Sequence, residues 1–141
     1  MASDVANDGS LQVVRGSQVT TDTAQSAGAL RVAGIGEVNT PATRIWLGKL
    51  SNKPGQHSVA HHHGDAETAA YVLKGSARIY YGPDYRDYVD LEEGDFLFVP
   101  PNFPHIESNR SDTDELVWLT ARSPDNIVVN LEEQPRQLVR D

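Results

Sequence analysis

The chain has no cysteine and a single methionine in 141 residues. Without thiols there is no disulfide, no thiolate nucleophile and no cysteine-ligated zinc site, so any transition metal must be held by histidine and carboxylate. Basic residues are also scarce, 12 Lys and Arg against 20 Asp and Glu, giving a net charge of −8 and a pI near 5.0. A field of that sign repels phosphate backbones and anionic lipid surfaces and argues against a nucleic-acid partner. No apolar run approaches the roughly 18 residues of a membrane helix. The opening residues 1–10 are polar, with two Asp and no basic segment. The expectation is a cytoplasmic protein that neither inserts into a membrane nor is exported. Aromatics make up only 7% of the chain and hydrophobic residues 38%. These proportions and the length describe one ordinary globular domain.

What is present begins with turn punctuation. From Thr43 onward, short β-branched and aromatic runs (Thr43–Leu50, Ala70–Tyr80, Asp87–Leu91, Phe96–Val99, Glu115–Ala121, Ile127–Leu131) alternate with turn clusters such as Lys53-Pro54-Gly55, Gly82-Pro83-Asp84 and Glu93-Gly94-Asp95. Their spacing of about 8 to 12 residues predicts an all-β sandwich or barrel with no required helix. Consecutive runs across Lys74-Gly75 and across Gly82-Pro83-Asp84 are expected to fold back antiparallel. Leu11–Val14 reads as a short strand and Gly16–Ala27 as a loop. The parts are a disordered lead-in over 1–10, a barrel over 11–131 and an exposed charged tail over 132–141 that is free to contact a second subunit.

Four of the five histidines fall within seven residues, His57, His61, His62 and His63. On a strand His61 and His63 project to one face and His62 to the other, so the first two form a clamp for a cation. A carboxylate arriving after the turn at Gly64 and an imidazole from a neighbouring strand would complete a mixed nitrogen and oxygen set, and the sequence offers Glu67 and His105. Parity on the same strand would also turn Val59 and His57 inward beside His61, His57 being either a residue of the site's rim or an exposed loop histidine next to the Pro54-Gly55 turn, and it places Phe103 and Glu107 inward beside His105. Phe103 is then either a wall of the cavity or plain core. Arg78 and Arg122 lie on strand runs, where each either binds a substrate carboxylate or turns outward.

The frame around these residues resembles a known family. Gly55, His61, His63, Glu67 and Gly75 resemble the first signature of the cupin superfamily, and Gly94, Pro100, Asn102, His105 and Asn109 resemble the second. The resemblance implies an antiparallel jelly-roll barrel, the double-stranded β-helix, of six to eight strands and open at one end. It also implies one divalent transition metal ion (Mn, Fe, Ni, Cu or Zn) at the positions of His61, His63, Glu67 and His105. Two departures stand out. Asn102 occupies a glycine position, which a residue tolerant of positive φ can fill. The twelve positions from His63 to Gly75 would place the family's carboxylate at Thr68. Either a bulge near Thr68–Ala70 restores the parity and Glu67 ligates, the favoured alternative, or the site has three histidines with Glu67 beside them. The function implied is a metal-dependent enzyme on a small oxygenated metabolite, with dioxygenase-type oxidation ahead of isomerase or decarboxylase chemistry. The alternative is a non-catalytic binder of a sugar or organic acid. A homodimer is expected from the family.

Overall fold

The computed structural model describes residues 10–140. Apart from Ser10, the expected lead-in lies outside the described residues. Ten strands follow a short 3-10 turn at Gly16–Gln18: β1 (Leu30–Ile35), β2 (Trp46–Asn52), β3 (His61–His62), β4 (Glu67–Lys74), β5 (Ala77–Tyr81), β6 (Asp87–Leu91), β7 (Phe96–Val99), β8 (Ile106–Asn109), β9 (Leu116–Ser123) and β10 (Val129–Asn130). They pair antiparallel as a five-stranded sheet, β1-β2-β9-β4-β7, a three-stranded sheet, β6-β5-β8, and a small pair, β10-β3. This is the jelly-roll architecture. Among the described residues no helix is long and apolar enough to cross a membrane.

Period-two alternation builds the larger sheet. Trp46, Leu50 and Asn52 of β2, Thr68, Ala70 and Val72 of β4, and Leu116, Trp118, Thr120 and Arg122 of β9 are buried, while their neighbours face out. The register sets these inward residues in cross-strand rows, Trp46–Arg122–Thr68 at one end and Leu50–Trp118–Val72 two rows further on. Gly48 stands between Trp46 and Leu50 because a Cβ there would meet the Trp46 ring at 2.5 Å. Leu50, Val72, Leu116 and Trp118 meet Ala77, Ile79 and Leu91 of the smaller sheet in the main apolar core. Each fully buried large side chain there contributes about 1.5–3 kcal/mol. The inner face is therefore apolar at one end and polar at the other, and the polar end carries the site.

Several local expectations change. Leu11–Val14 is not a strand, and the unforeseen β1 takes its place in the fold. The chain does reverse at Gly82-Pro83-Asp84, where β5 and β6 pair from Ala77↔Leu91 to Tyr81↔Asp87. At Lys74-Gly75 it forms no hairpin: β4 pairs with β7 and β9, whereas β5 pairs with β6 and β8. Gly75, at φ +93°, turns the chain from one sheet to the other, and a Cβ there would lie 2.7 Å from the Glu115 carbonyl oxygen. The C-terminal segment stays largely exposed but is tied down. The Val139 carbonyl accepts from Tyr80 Oη at 2.6 Å, Gln134 Oε1 accepts from the Ala60 backbone N–H at 2.6 Å, and Leu138 packs on the cluster of Ala60, Tyr80 and Ile106.

Candidate metal centre

His61 and His105 are fixed to each other by backbone. They form an antiparallel bridge in which each amide donates to the other's carbonyl, at 3.1 and 2.9 Å. His63 follows two residues after His61 on the same side, and His62 turns away, half-buried, to accept from the Gly64 amide at 3.0 Å. The loop of the second motif braces the first. Asn102, at φ +57°, donates its amide to the Gly64 carbonyl at 2.7 Å and its side-chain nitrogen to Asp65 Oδ1 at 3.2 Å. The three imidazole centroids lie 4.6 to 5.1 Å apart.

The carboxylate is Glu107. One ligand atom each from His61, His63, His105 and Glu107 lies within 4.8 Å of the others, and all four residues are buried. Glu107 Oε1 is 3.2 Å from His61 Nε2 and 3.6 Å from His105 Nε2. Glu67, expected as the fourth ligand, is not brought to this group. It is the exposed first residue of β4, and Thr68 is the one that turns inward. The bulge that would have restored its parity is absent from Thr68–Ala70; β4 shifts register only between Val72 and Lys74. Glu107 was legible as inward from its two-residue spacing to His105, but carboxylate and histidine sit side by side on one segment, outside the family's first signature. His57 does not point inward. The regular strand extends only over His61–His62, Ser58 and Ala60 are the buried residues before it, and His57 is exposed. Phe103 is half-buried and packs on Tyr81 at 5.8 Å, away from the histidines.

Protonation follows from geometry. His61 Nδ1 lies 2.7 Å from the Val59 carbonyl, His63 Nδ1 2.7 Å from that of Ile127 and His105 Nδ1 2.8 Å from that of Phe103. A carbonyl only accepts, so each ring carries its proton on Nδ1, and a neutral ring then presents a bare lone pair at Nε2. Burial holds His61 below its ordinary value despite the nearby Glu107 carboxylate. Burial, reinforced by the charge of Arg122, pushes His63 down to about 2. Burial would raise the Glu107 carboxyl, but its interactions with His61 and His105 outweigh that and hold it well below the usual carboxylate range. His61 Nε2 faces Glu107 Oε1 at 3.2 Å, and Glu107 Oε2 is buried without a hydrogen-bond partner. Unpaired buried acceptors are costly. Three imidazoles and one carboxylate are also a suitable donor set for a divalent first-row ion. The residues fit a metal.

Two arginines flank the group. Arg122 donates from Nε to Thr68 Oγ1 at 3.1 Å and from Nη1 to Asn126 Oδ1 at 2.9 Å, and its Nη2 sits 3.0 Å from His63 Nε2. Burial, with the charge of Arg31, pushes it down to about 9, so it stays cationic at neutral pH. Arg31, fully buried on β1, donates from Nη1 to Ser26 Oγ at 2.8 Å; its Nη2 lies 3.3 Å from His61 Nε2 and 3.6 Å from Glu107 Oε1. Arg78 is elsewhere, forked onto Asp90 at 2.7 and 3.0 Å and stacked 3.8 Å over the Tyr88 ring. Beside the group lies a small cavity of about 20 Å³, lined by Thr68, Leu97, Val99, His105, Glu107, Trp118, Thr120 and Arg122 among others.

With fold and site in view, comparison places the chain in a family. The cupin domain model matches residues 50–122, just over half of the chain, and the protein belongs to the cupins. No relative is found among curated proteins. Among solved structures it is similar to the polyketide cyclase RemF from Streptomyces resistomycificus, at TM-score 0.69 and 21% identity over 89% of this chain and 90% of that one. It is also similar to an uncharacterized conserved protein with a double-stranded β-helix domain from Klebsiella pneumoniae, at 0.63 and 17%, covering 78% and 90%. A third similarity is to oxalate decarboxylase from Bacillus subtilis, at 0.64 and 23% over 78% of this chain. This chain spans only 29% of the decarboxylase, another structure of which is described by its Mn(II) centers.

Proposed function

We propose that this cupin is a divalent-metal enzyme acting on a small oxygenated metabolite, with dioxygenase-type oxidation ahead of isomerase or decarboxylase chemistry. The observation that carries the reading is the convergence of three Nε2 lone pairs and the Glu107 carboxylate within 4.8 Å, beside a cavity. His61, His63, His105 and Glu107 would hold the ion, which when bound supplies Lewis-acid polarisation of substrate oxygens and, if redox-active, electron transfer with O2. The protein's own residues do the rest. The Val59, Phe103 and Ile127 carbonyls lock the Nδ1–H tautomers, and Leu97, Val99 and Trp118 give the cavity an apolar wall. Thr68, Thr120 and Arg122 offer polar contacts to the substrate.

The order of the two chemistries rests on the cavity wall. Apart from His105 and Glu107, its ionisable lining among the described residues is Arg122, which stays protonated. Isomerisation and decarboxylation call for a spare acid or base to move protons, whereas oxidation of a chelated substrate makes less demand for one. The same wall favours the second reading, a binder of small organic acids without turnover. Metal analysis with an O2-uptake screen over enols, 1,3-diketones, phenols and organic acids tests the proposal. O2 consumption that requires the ion and disappears in His63→Ala is expected; a tightly held ligand with no turnover under any metal would establish the second reading instead.

We further propose that the working form is a homodimer of this chain. Supporting it is the outer face of the five-stranded sheet, where Leu47, Phe96 and Phe98 are exposed and Tyr71 stacks on Phe96 at 4.7 Å. An apolar stripe of that kind on a monomer marks an association surface. Light scattering should give a dimer for the native chain and a monomer for Phe98→Lys; a native monomer at micromolar concentration contradicts it.

A further inference from the structure

The two buried guanidinium groups make matching contacts. Arg31 and Arg122 come from strands at different places in the five-stranded sheet, and each is anchored through Nη1 to a neutral side-chain oxygen, Ser26 Oγ and Asn126 Oδ1. Each then turns Nη2 onto the Nε2 lone pair of a histidine of the centre, His61 and His63, at 3.3 and 3.0 Å. Those two lone pairs are the ones a cation would take. Binding an ion therefore removes the acceptor of Arg122 Nη2 and leaves Arg31 Nη2 only the 3.6 Å contact to Glu107 Oε1, inside a site where neither arginine is more than 3% exposed. A buried guanidinium N–H without an acceptor is unfavourable. Charge points the same way: two guanidinium groups and a divalent ion face one carboxylate, Glu107, so the loaded centre carries three uncompensated positive charges. In a low-dielectric interior that excess draws an anion strongly.

We propose that Arg31 and Arg122 form a paired anion clamp across the metal centre, and that the ligand it selects is a small organic anion presenting two oxygens, a carboxylate or an enolate. The clamp deepens the metal-enzyme reading and rests on it. Charge-assisted N–H···O⁻ bonds from the released Nη2 groups to the anion take the place of the imidazole lone pairs that the ion occupies. The cavity is small, about 20 Å³, and is lined by Arg122 and not by Arg31, so the anion is held to the fewest carbon atoms. Arg31 completes the pair through a contact of 3.6 Å to Glu107 Oε1, which holds its fork at the centre. Neither arginine is a ligand of the ion; both determine specificity.

The test uses the full chain, zinc titration and two probes of matched shape, malonate and its neutral counterpart malonamide, read by calorimetry. Zinc-loaded native protein should bind malonate at least 10-fold tighter than malonamide. Arg122→Gln and Arg31→Gln should each weaken malonate at least 10-fold while leaving malonamide unchanged. Zinc affinity in these variants should be equal or higher, because a positive neighbour has been removed; an arginine that merely propped its histidine would lower zinc affinity on removal. Arg122→Lys keeps the charge without the fork, guards against a misfolded Gln variant, and should fall between native and Gln. Malonate and malonamide binding alike, or malonate affinity unchanged in both Gln variants, would overturn the clamp while leaving the metal centre standing. Native protein that takes up no zinc at all would instead remove the metal reading and the clamp with it.

Discussion

Replacing His105 with alanine is expected to abolish stoichiometric metal uptake, whereas Glu67→Gln should leave it untouched. The first effect follows from the donor count. His105 supplies one of four ligand atoms grouped within 4.8 Å, and its backbone also bridges to His61. Disturbing residues that only support a metal's ligands already costs about 10–100-fold in affinity, so loss of a ligand should exceed about 100-fold. Glu107→Gln keeps an oxygen but removes the one negative charge that faces Arg31 and the cation, and should fall between the two, about 10–100-fold weaker by the same comparison. Glu67 is exposed on the outer side of β4, so its variant should bind within twofold of native. Calorimetric titration with zinc, alongside circular dichroism to show that each variant is folded, measures all three. Equal weakening in Glu67→Gln and Glu107→Gln would return the ligand role to position 67.

The metal-free protein should lose stability steeply as pH falls below about 6.5. The sign comes from the histidines. His63 is pushed down to about 2 in the fold against an ordinary 6.5, and His61 is lowered as well. A depressed histidine contributes its stability above the unfolded value, where both states are neutral. Below it the unfolded chain takes up a proton that the folded chain refuses. Such a group costs about 1.4 kcal/mol per pH unit, so from pH 6.5 to 5 His63 alone removes about 2 kcal/mol, and His61 adds to the loss in the same direction. The Glu107 carboxyl, also depressed, adds to the loss only below its ordinary value near 4.5. Thermal melts of the metal-free protein should therefore fall by at least several degrees between pH 7 and 5. His63→Gln should flatten that slope by one group's share. A melting temperature constant over that interval would mean that the imidazoles are already solvated or protonated in the fold.

Much of this was legible without coordinates, for a physical reason. Turn chemistry is local: Gly82-Pro83-Asp84 reverses the chain wherever it stands, and strand alternation in Trp46–Asn52 and Leu116–Ser123 follows from apolar side chains seeking one face. The spacing of His61 and His63 fixes their common side within three residues. The strands that escaped notice share the opposite property. In β1 the inward residues are Arg31 and the small Ala33 while Leu30 faces out, and in β8, buried throughout, Glu107 and Asn109 lie inside with Ile106 and Ser108. A pattern reader expecting apolar side chains inside sees no strand there, because the polar end of the barrel turns charged and amide side chains inward.

The sequence by itself determined the all-β class, the cupin motifs and the three imidazoles, since each rests on residue type and short spacing. Only the tertiary structure decided which carboxylate joins them and which cations surround them. Glu107 displaces Glu67 because the parity of β4 is not reset until Val72. Arg31 and Arg122, 91 positions apart in the chain, meet the same histidine group because sheet pairing, which adjacent residues do not encode, carries β1 and β9 to either side of β2.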